Sequence, residues 1–411
     1  MTYAYGDLLP VMKAVRDLDL RNILKRTIVD YADTALIMTV NRIIRLETMN
    51  NQEEWYDNSY INRMYSAYLS SSSLSRALIS IGEKNPNHSF LKEILRVAGK
   101  PGAVYYDLTS FSSHARNIEF LEYGYSRSDP DLPQVNVSLV ESRDTGIPIF
   151  YDIYPGSVVN VSTVKNTVDI LRSAGLREIT FIMDRGMFSS LFSSSNIEYL
   201  LSEDMDIIMP ASYAVKKVRK LALHARLTIE IVRNMIGLSG KILFAEKHDL
   251  VIGQNEVNAW VFYDPERDVR ERIAIYSNLQ DRMERLSWRD MRKWEKPSDI
   301  VDDIMGPYRS FVSWKYDGMF HLNVRDNAVS QRMNRCCITI ITFTDDHYAS
   351  SVLSEYSKRD SVEKMLLELH KLRKVVLQDG KETTTEITRK KKEILKCFGI
   401  KPEHVPTFLK S

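Results

Sequence analysis

Glu178–Ile179–Thr180–Phe181–Ile182–Met183–Asp184–Arg185–Gly186 is the stretch whose reading decides the fold. Ile179, Phe181, Ile182 and Met183 form a short apolar run that predicts a buried strand, and the run stops at an acid, a base and a glycine. A carboxylate at the exit of a buried strand is held at the sheet edge, where open α/β sheets place their chemistry. Ala103–Val104–Tyr105–Tyr106–Asp107–Leu108–Thr109–Ser110 repeats the pattern upstream. Either aspartate alone reads better as the cap of a following helix. Two on neighbouring strands would converge, and convergent carboxylates share a proton or hold a divalent cation.

The elements between these strands predict their adjacency. Val135–Asn136–Val137–Ser138–Leu139–Val140 alternates as a half-buried strand, and Asp144–Thr145–Gly146 turns the chain into Ile147–Pro148–Ile149–Phe150–Tyr151. Val161 to Ala174 predicts a crossover helix with Val161, Val164, Val168 and Leu171 on one face, closed by Gly175. Strand with acid, hairpin, crossover helix, strand with acid, helix is the order of a ribonuclease-H-like core, in which the first and fourth strands lie side by side. The fold class is therefore α/β, with a mixed-sheet core. The apolar run Cys336 to Phe343 predicts its last strand, and His347 to Lys374 is helical in pattern. On that helix Tyr356, Arg359 and Glu363 fall at offsets 0, 3 and 7, within roughly 60° of one another.

Five segments follow: a helical N-terminal domain (1–100), the first part of the core (101–212), a strand-rich insertion (213–335), the last core strand with the third-acid helix (336–375), and a basic C-terminal tail (376–411). In the first, helical spacing recurs through Val11, Val15, Leu18, Leu20 and Leu24 and again from Ala35 to Ile44. The insertion predicts strands at Lys241–Ala245, Val257–Tyr263 and Arg309–Tyr316.

Of 411 residues, 44% are hydrophobic and 27% charged, an ordinary globular composition. No apolar run approaches the ~18 residues of a membrane span, and the N-terminus lacks a signal peptide's basic and apolar regions, so a cytoplasmic protein without membrane partners is expected. No HExxH or Gly-rich phosphate loop occurs, which argues against zinc and ATP chemistry. The net charge of +2 hides two basic stretches. Between Tyr213 and Lys247 eight Lys/Arg face two acids, and between Lys358 and Lys401 thirteen face seven, a balance of +6 each time. Such stretches suit a phosphate backbone and equally suit a solvated helix face.

An ordered set of motifs resembles the DDE transposases of prokaryotic insertion sequences, in the branch with a Tyr-Arg-Glu-Lys motif. The set comprises Tyr106–Asp107–Leu108–Thr109–Ser110, Gly124–Tyr125–Ser126–Arg127, Asp131–Leu132–Pro133–Gln134–Val135, Gly146–Ile147–Pro148, Tyr154–Pro155–Gly156, Met183–Asp184–Arg185–Gly186 and Tyr356 to Lys364. The chain departs from the family at the Lys seven residues beyond the Glu, which is His370 here with Lys371 beside it, and a basic stretch follows Glu363 almost at once, as after an internal deletion.

The resemblance implies an insertion-sequence transposase in which Asp107, Asp184 and Glu363 hold two Mg²⁺ (or Mn²⁺) ions. Tyr356, Arg359, Lys371 and Arg185 would contact DNA. It further implies element ends and target DNA as double-stranded partners, a homodimer on DNA, and a tryptophan handling a flipped base, with Trp288, Trp294 and Trp314 as candidates. The competing expectation is a catalytically impaired remnant that binds DNA without cutting it.

Overall fold

The computed structural model describes residues 1–45, 48–115, 120–124, 132–158, 160–183, 205–211, 215–238, 240–252, 255–270 and 362–409, with isolated positions 118, 199, 200, 203, 273 and 277. The chain forms two compact units, one of Met1–Ile182, Asp204–Ile207 and Asn327–Ser411, the other of Met183–Glu203 and Ile208–Asp326.

In the first unit, β1 (Thr2–Ala4) precedes six helices: α1 (Leu8–Asp17), α2 (Leu20–Thr27), α3 (Ala32–Ile44), α4 (Gln52–Asn58), α5 (Ser71–Lys84) and α6 (Asn87–Ala98). The apolar spacing running through Leu18, Leu20 and Leu24 is divided between α1 and α2, because Asp19 takes a left-handed φ of 51° and turns the chain. Asn85 ends α5 in the same region at φ 39°. Asn and Asp enter this region more readily than other side chains, which is why the breaks fall there.

The core sheet contains β2 (Ala103–Ser112), β3 (Gln134–Ser142), β4 (Pro148–Pro155), β5 (Thr180–Met183) and β6 (Asp206–Ile208), in the order β4-β3-β2-β5-β6. Third, second, first, fourth, fifth is the ribonuclease-H-like order, and β2, β3 and β4 are antiparallel as the hairpin reading requires. The turn closes through Gly146 at φ 69°, whose N–H donates to Ser142 O at 2.8 Å. Crossover helix α7 (Asn160–Ser173) buries Val164, Val168 and Leu171 completely, and Gly175 at φ 84° follows it.

Two expectations change. The fifth strand of this sheet is Asp206–Ile208; Cys336 to Phe343 lies outside the described residues. Three residues beginning with an acid give too short a run to stand out against the stronger apolar one. Along the first six residues of β3, moreover, Gln134, Asn136 and Ser138 are buried while Val135, Val137 and Leu139 are half-buried.

The reason lies at the sheet's end. The Asn136 amide donates to the carbonyls of Gly156 (3.1 Å), Val158 (3.2 Å) and Pro155 (3.3 Å), and Gln134 Nε2 donates to Gly156 O at 3.3 Å. Buried amides are stable here because backbone carbonyls receive their protons. Gly156 is the tight point. A Cβ there would lie 2.3 Å from both Gln134 O and Glu122 O, and these are backbone atoms. Gly156→Ala is expected to cost about 3 kcal/mol, the upper end for overpacking, seen as a lower urea midpoint.

The C-terminal residues fold. Helix α9 (Val362–His370) ends before Lys374; the chain then enters β10 (Arg373–Val376) and β11 (Glu382–Thr384), which form a second sheet in the order β1-β10-β11. Thr2 pairs with Val375, and a last helix, α10 (Arg389–Cys397), follows. The expected tail is thus part of the same body as the first residues: Tyr5 Oη donates to Val405 O and Arg16 to Phe408 O. Gly6 lets the two ends meet, since a Cβ there would lie 2.1 Å from Leu369 O.

The second unit contains helix α8 (Lys216–Arg226) and a sheet in the order β7-β8-β9, from Met235–Leu238, Lys241–Ile252 and Asn255–Tyr263. Ala222 and Ala225 pack on Val261 and Tyr263, and Val218 packs with Leu250. The strands expected near 241–245 and 257–263 are present; 309–316 lies outside the described residues. No helix among the described residues is long and apolar enough to cross a membrane.

Candidate active site

Strand β2 changes character at Asp107. Ala103, Val104, Tyr105 and Tyr106 are buried, and every residue from Asp107 to Ser112 is half-buried. Alternation sets Tyr106 and Asp107 on opposite faces of the sheet. Tyr106 is fixed against the crossover helix: its hydroxyl donates to Thr163 Oγ1 at 2.8 Å and its ring lies 6.4 Å from that of Phe181 on β5. Burial pushes this phenol well above its ordinary pKa, so it stays a neutral strut.

Asp107 is therefore held by its neighbour on one side and by the ladder on the other, where it pairs with Leu139. Its Oδ1 accepts from the Leu108 N–H at 2.8 Å, which sets the orientation of the carboxylate. On the other flank of β2, Thr180 N donates to Gly102 O at 3.0 Å, bringing β5 alongside. The last residue of β5 is Met183, one position before Asp184.

Asp184 and Arg185, and likewise Tyr356 and Arg359, lie outside the described residues, as do Trp288, Trp294 and Trp314. Glu363 falls in α9, where its backbone but not its side chain is described. Among the described residues no group of three or more His, Cys, Asp or Glu is placed to hold a metal ion. Asp107 is the one member of the expected triad with a described side chain. The expected donor set is all carboxylate, the hard oxygen chemistry that suits Mg²⁺ or Mn²⁺, and the half-buried setting of Asp107 fits that use.

Lys371 is exposed and forms an ion pair with Glu368 at 2.8 Å. His370, where the family resembled in sequence has a Lys, turns inward. Its Nδ1 meets the Asp7 carboxylate and its Nε2 meets Arg45, with Arg373 also at 3.3 Å. Asp7 is 2% exposed. Spacing within α9 could not reveal this contact, because the partner lies 363 positions away. Among the motifs carrying the resemblance, Gln134, Gly124 and Gly156 prove to be architectural: a Cβ on Gly124 would lie 2.0 Å from Gly156 O.

No family model and no curated protein matches the chain. Among solved structures, it is similar over 99% of its length, and 81% of the other chain, to a piggyBac transposase synaptic complex with hairpin DNA, at 10% identity and a TM-score of 0.33. It is also similar over 43% of its length to a Mos1 transposase paired-end complex with left transposon end, at 14% identity and a TM-score of 0.19, covering 58% of that chain. A pre-cleavage Mos1 transpososome gives 13% identity and 0.19 over 47% of this chain and 65% of the other. TM-scores of this size do not define a common fold. The fold assignment rests instead on the strand order.

Proposed function

We propose that the chain is a DDE transposase of the insertion-sequence type, which cuts the ends of a mobile element and joins their 3′-hydroxyl strands to target DNA. The observation supporting this most is a sheet ordered β4-β3-β2-β5-β6, with Asp107 half-buried on its central strand and the neighbouring strand ending one residue before Asp184. In this reading Asp107, Asp184 and Glu363 hold two Mg²⁺ or Mn²⁺ ions. Bound there, the ions activate the attacking oxygen and stabilise the leaving one.

The chain's own residues bind and orient DNA. Arg359 and Arg185 clamp phosphates with planar guanidinium forks, Tyr356 stacks or hydrogen-bonds beside them, and Lys371 supplies a further cation. The Asp107 carboxylate, steered by the Leu108 N–H, fixes where the reacting phosphate sits. The protein works as a homodimer on double-stranded DNA in the cytoplasm. A second reading, a remnant that binds without cutting, is favoured by His370: where the family has a Lys, this side chain is engaged with Asp7 and Arg45.

Nicking of supercoiled plasmid separates the two. With Mg²⁺ or Mn²⁺, wild-type protein is expected to nick and Asp184→Ala to leave only background. Equal nicking by both removes the enzyme; DNA binding without nicking by wild type selects the remnant.

A further inference from the structure

The two basic stretches, indistinguishable as sequences, differ in how their charge is placed. On α10, Arg389 is paired with Glu393 at 3.1 Å, and Lys390 lies 3.9 Å from Glu368, which also holds Lys371. That surface is partly neutralised by its own acids. Helix α8 contains no acid at all. Its Arg226 is engaged, lying over the Tyr263 ring at 4.1 Å and pairing with Glu230 at 2.7 Å.

The cations of its first turns are different. Lys216, Arg219 and Lys220 are exposed, and among the described residues no carboxylate lies within ion-pair distance of them. Lys217, also exposed, donates to Val251 O at 3.3 Å. Offsets of 0, 3 and 4 put Lys216, Arg219 and Lys220 on one face, opposite the buried Val218, Ala222 and Ala225. Like charges three and four apart repel, and cations are disfavoured in the first turn of a helix. Among the described residues nothing offsets either effect, and a line of negative charge laid along this face reverses the sign of both. The cations from Lys216 to Lys220 span ~6 Å of helix axis, commensurate with successive phosphates of a duplex strand.

We propose that this outward face of α8 docks on the phosphate backbone of double-stranded DNA. The inference deepens the DNA-binding part of the reading above and does not depend on catalysis. It adds an attachment made by phosphate charge, sequence-independent in character.

The test is binding of full-length protein to a fluorescent duplex oligonucleotide of arbitrary sequence across a salt series, without divalent metal. Lys216→Glu/Arg219→Glu/Lys220→Glu is expected to bind about 10²-fold more weakly at low salt, and the slope of log K against log salt is expected to fall by about 0.9 for each phosphate no longer neutralised. The Gln version of the same triple variant should weaken binding less. Arg389→Glu/Lys390→Glu/Lys392→Glu on α10 is the charge-matched control and should bind nearly as wild type does. Unchanged binding by the α8 triple variants overturns the proposal, as does an equal weakening in the α10 control. Absence of duplex binding by wild type also overturns it, with or without binding to anionic vesicles or polyglutamate. Failure to nick plasmid leaves it standing, so the catalytic reading and this surface fail separately.

Discussion

Asp107→Asn is expected to remove metal-dependent nicking by at least ~10³-fold, equivalent to about 4 kcal/mol of transition-state stabilisation, while duplex binding stays close to wild type. The substitution is chosen for what it leaves in place. An amide oxygen can still accept the 2.8 Å hydrogen bond from the Leu108 N–H, and the Asn side chain matches the Asp in size, so β2 keeps its pairing with Leu139. What disappears is one unit of negative charge. Because Asp107 is half-buried, with Tyr106 buried beside it, little packing depends on it and the thermal midpoint should move by no more than about a degree or two. A variant that nicks at the wild-type rate would refute the carboxylate-metal reading outright. One that fails to nick because it has unfolded would betray itself in the binding assay.

Position explains why so much of the sheet around Asp107 could be read from the chain. The apolar run ahead of Asp107, the Asp144–Gly146 turn and the α7 periodicity are all short-range signals, and the strand order follows once they are set in sequence. The rest depended on partners that no local window contains. Arg373 and Lys374 read as the end of a helix, yet Arg373–Val376 is a strand because Thr2–Ala4 lies beside it. Strand β6 is too short to register, and Asp19 interrupts an apolar spacing that continues across it. The polar residues of β3 are legible as buried only once the carbonyls of 155–158 are seen to face them. His370 shows the same limit: in sequence it is only a departure from the Lys of the resembling family, whereas in space it fastens α9 to the first residues of the chain.

Lys374→Ala should destabilise the first unit by about 3–5 kcal/mol, the cost of removing one partner from a buried ion pair. The Lys374 side chain is 1% exposed, and its ammonium lies 3.7 Å from Glu382, 4.8 Å from the Tyr5 ring centroid and 5.4 Å from that of Tyr60, while also donating to Pro406 O. A lysine this deep is stable only because each of those groups answers its charge. The Tyr60 hydroxyl donates to Glu382 at 2.9 Å, and burial with this carboxylate pushes its pKa up to about 12. Alanine would take from Glu382, itself 10% exposed on its side chain, the buried cation it faces, leaving a carboxylate that still accepts from Tyr60. It would also open a void among the two rings and the 405–409 segment. Lys374→Met fills most of the void but still strands the acid, so it should recover only part of the stability. Lys374→Met/Glu382→Gln removes both charges and should recover most of it. Urea midpoints across the series decide the cause: if the double variant is no more stable than Lys374→Met, packing rather than the stranded carboxylate holds the two chain ends together. The location matters for function because β10 directly follows α9, the helix of Glu363. A loosened clamp is therefore expected to impair nicking in proportion to the drop in stability, and the double variant to restore both together.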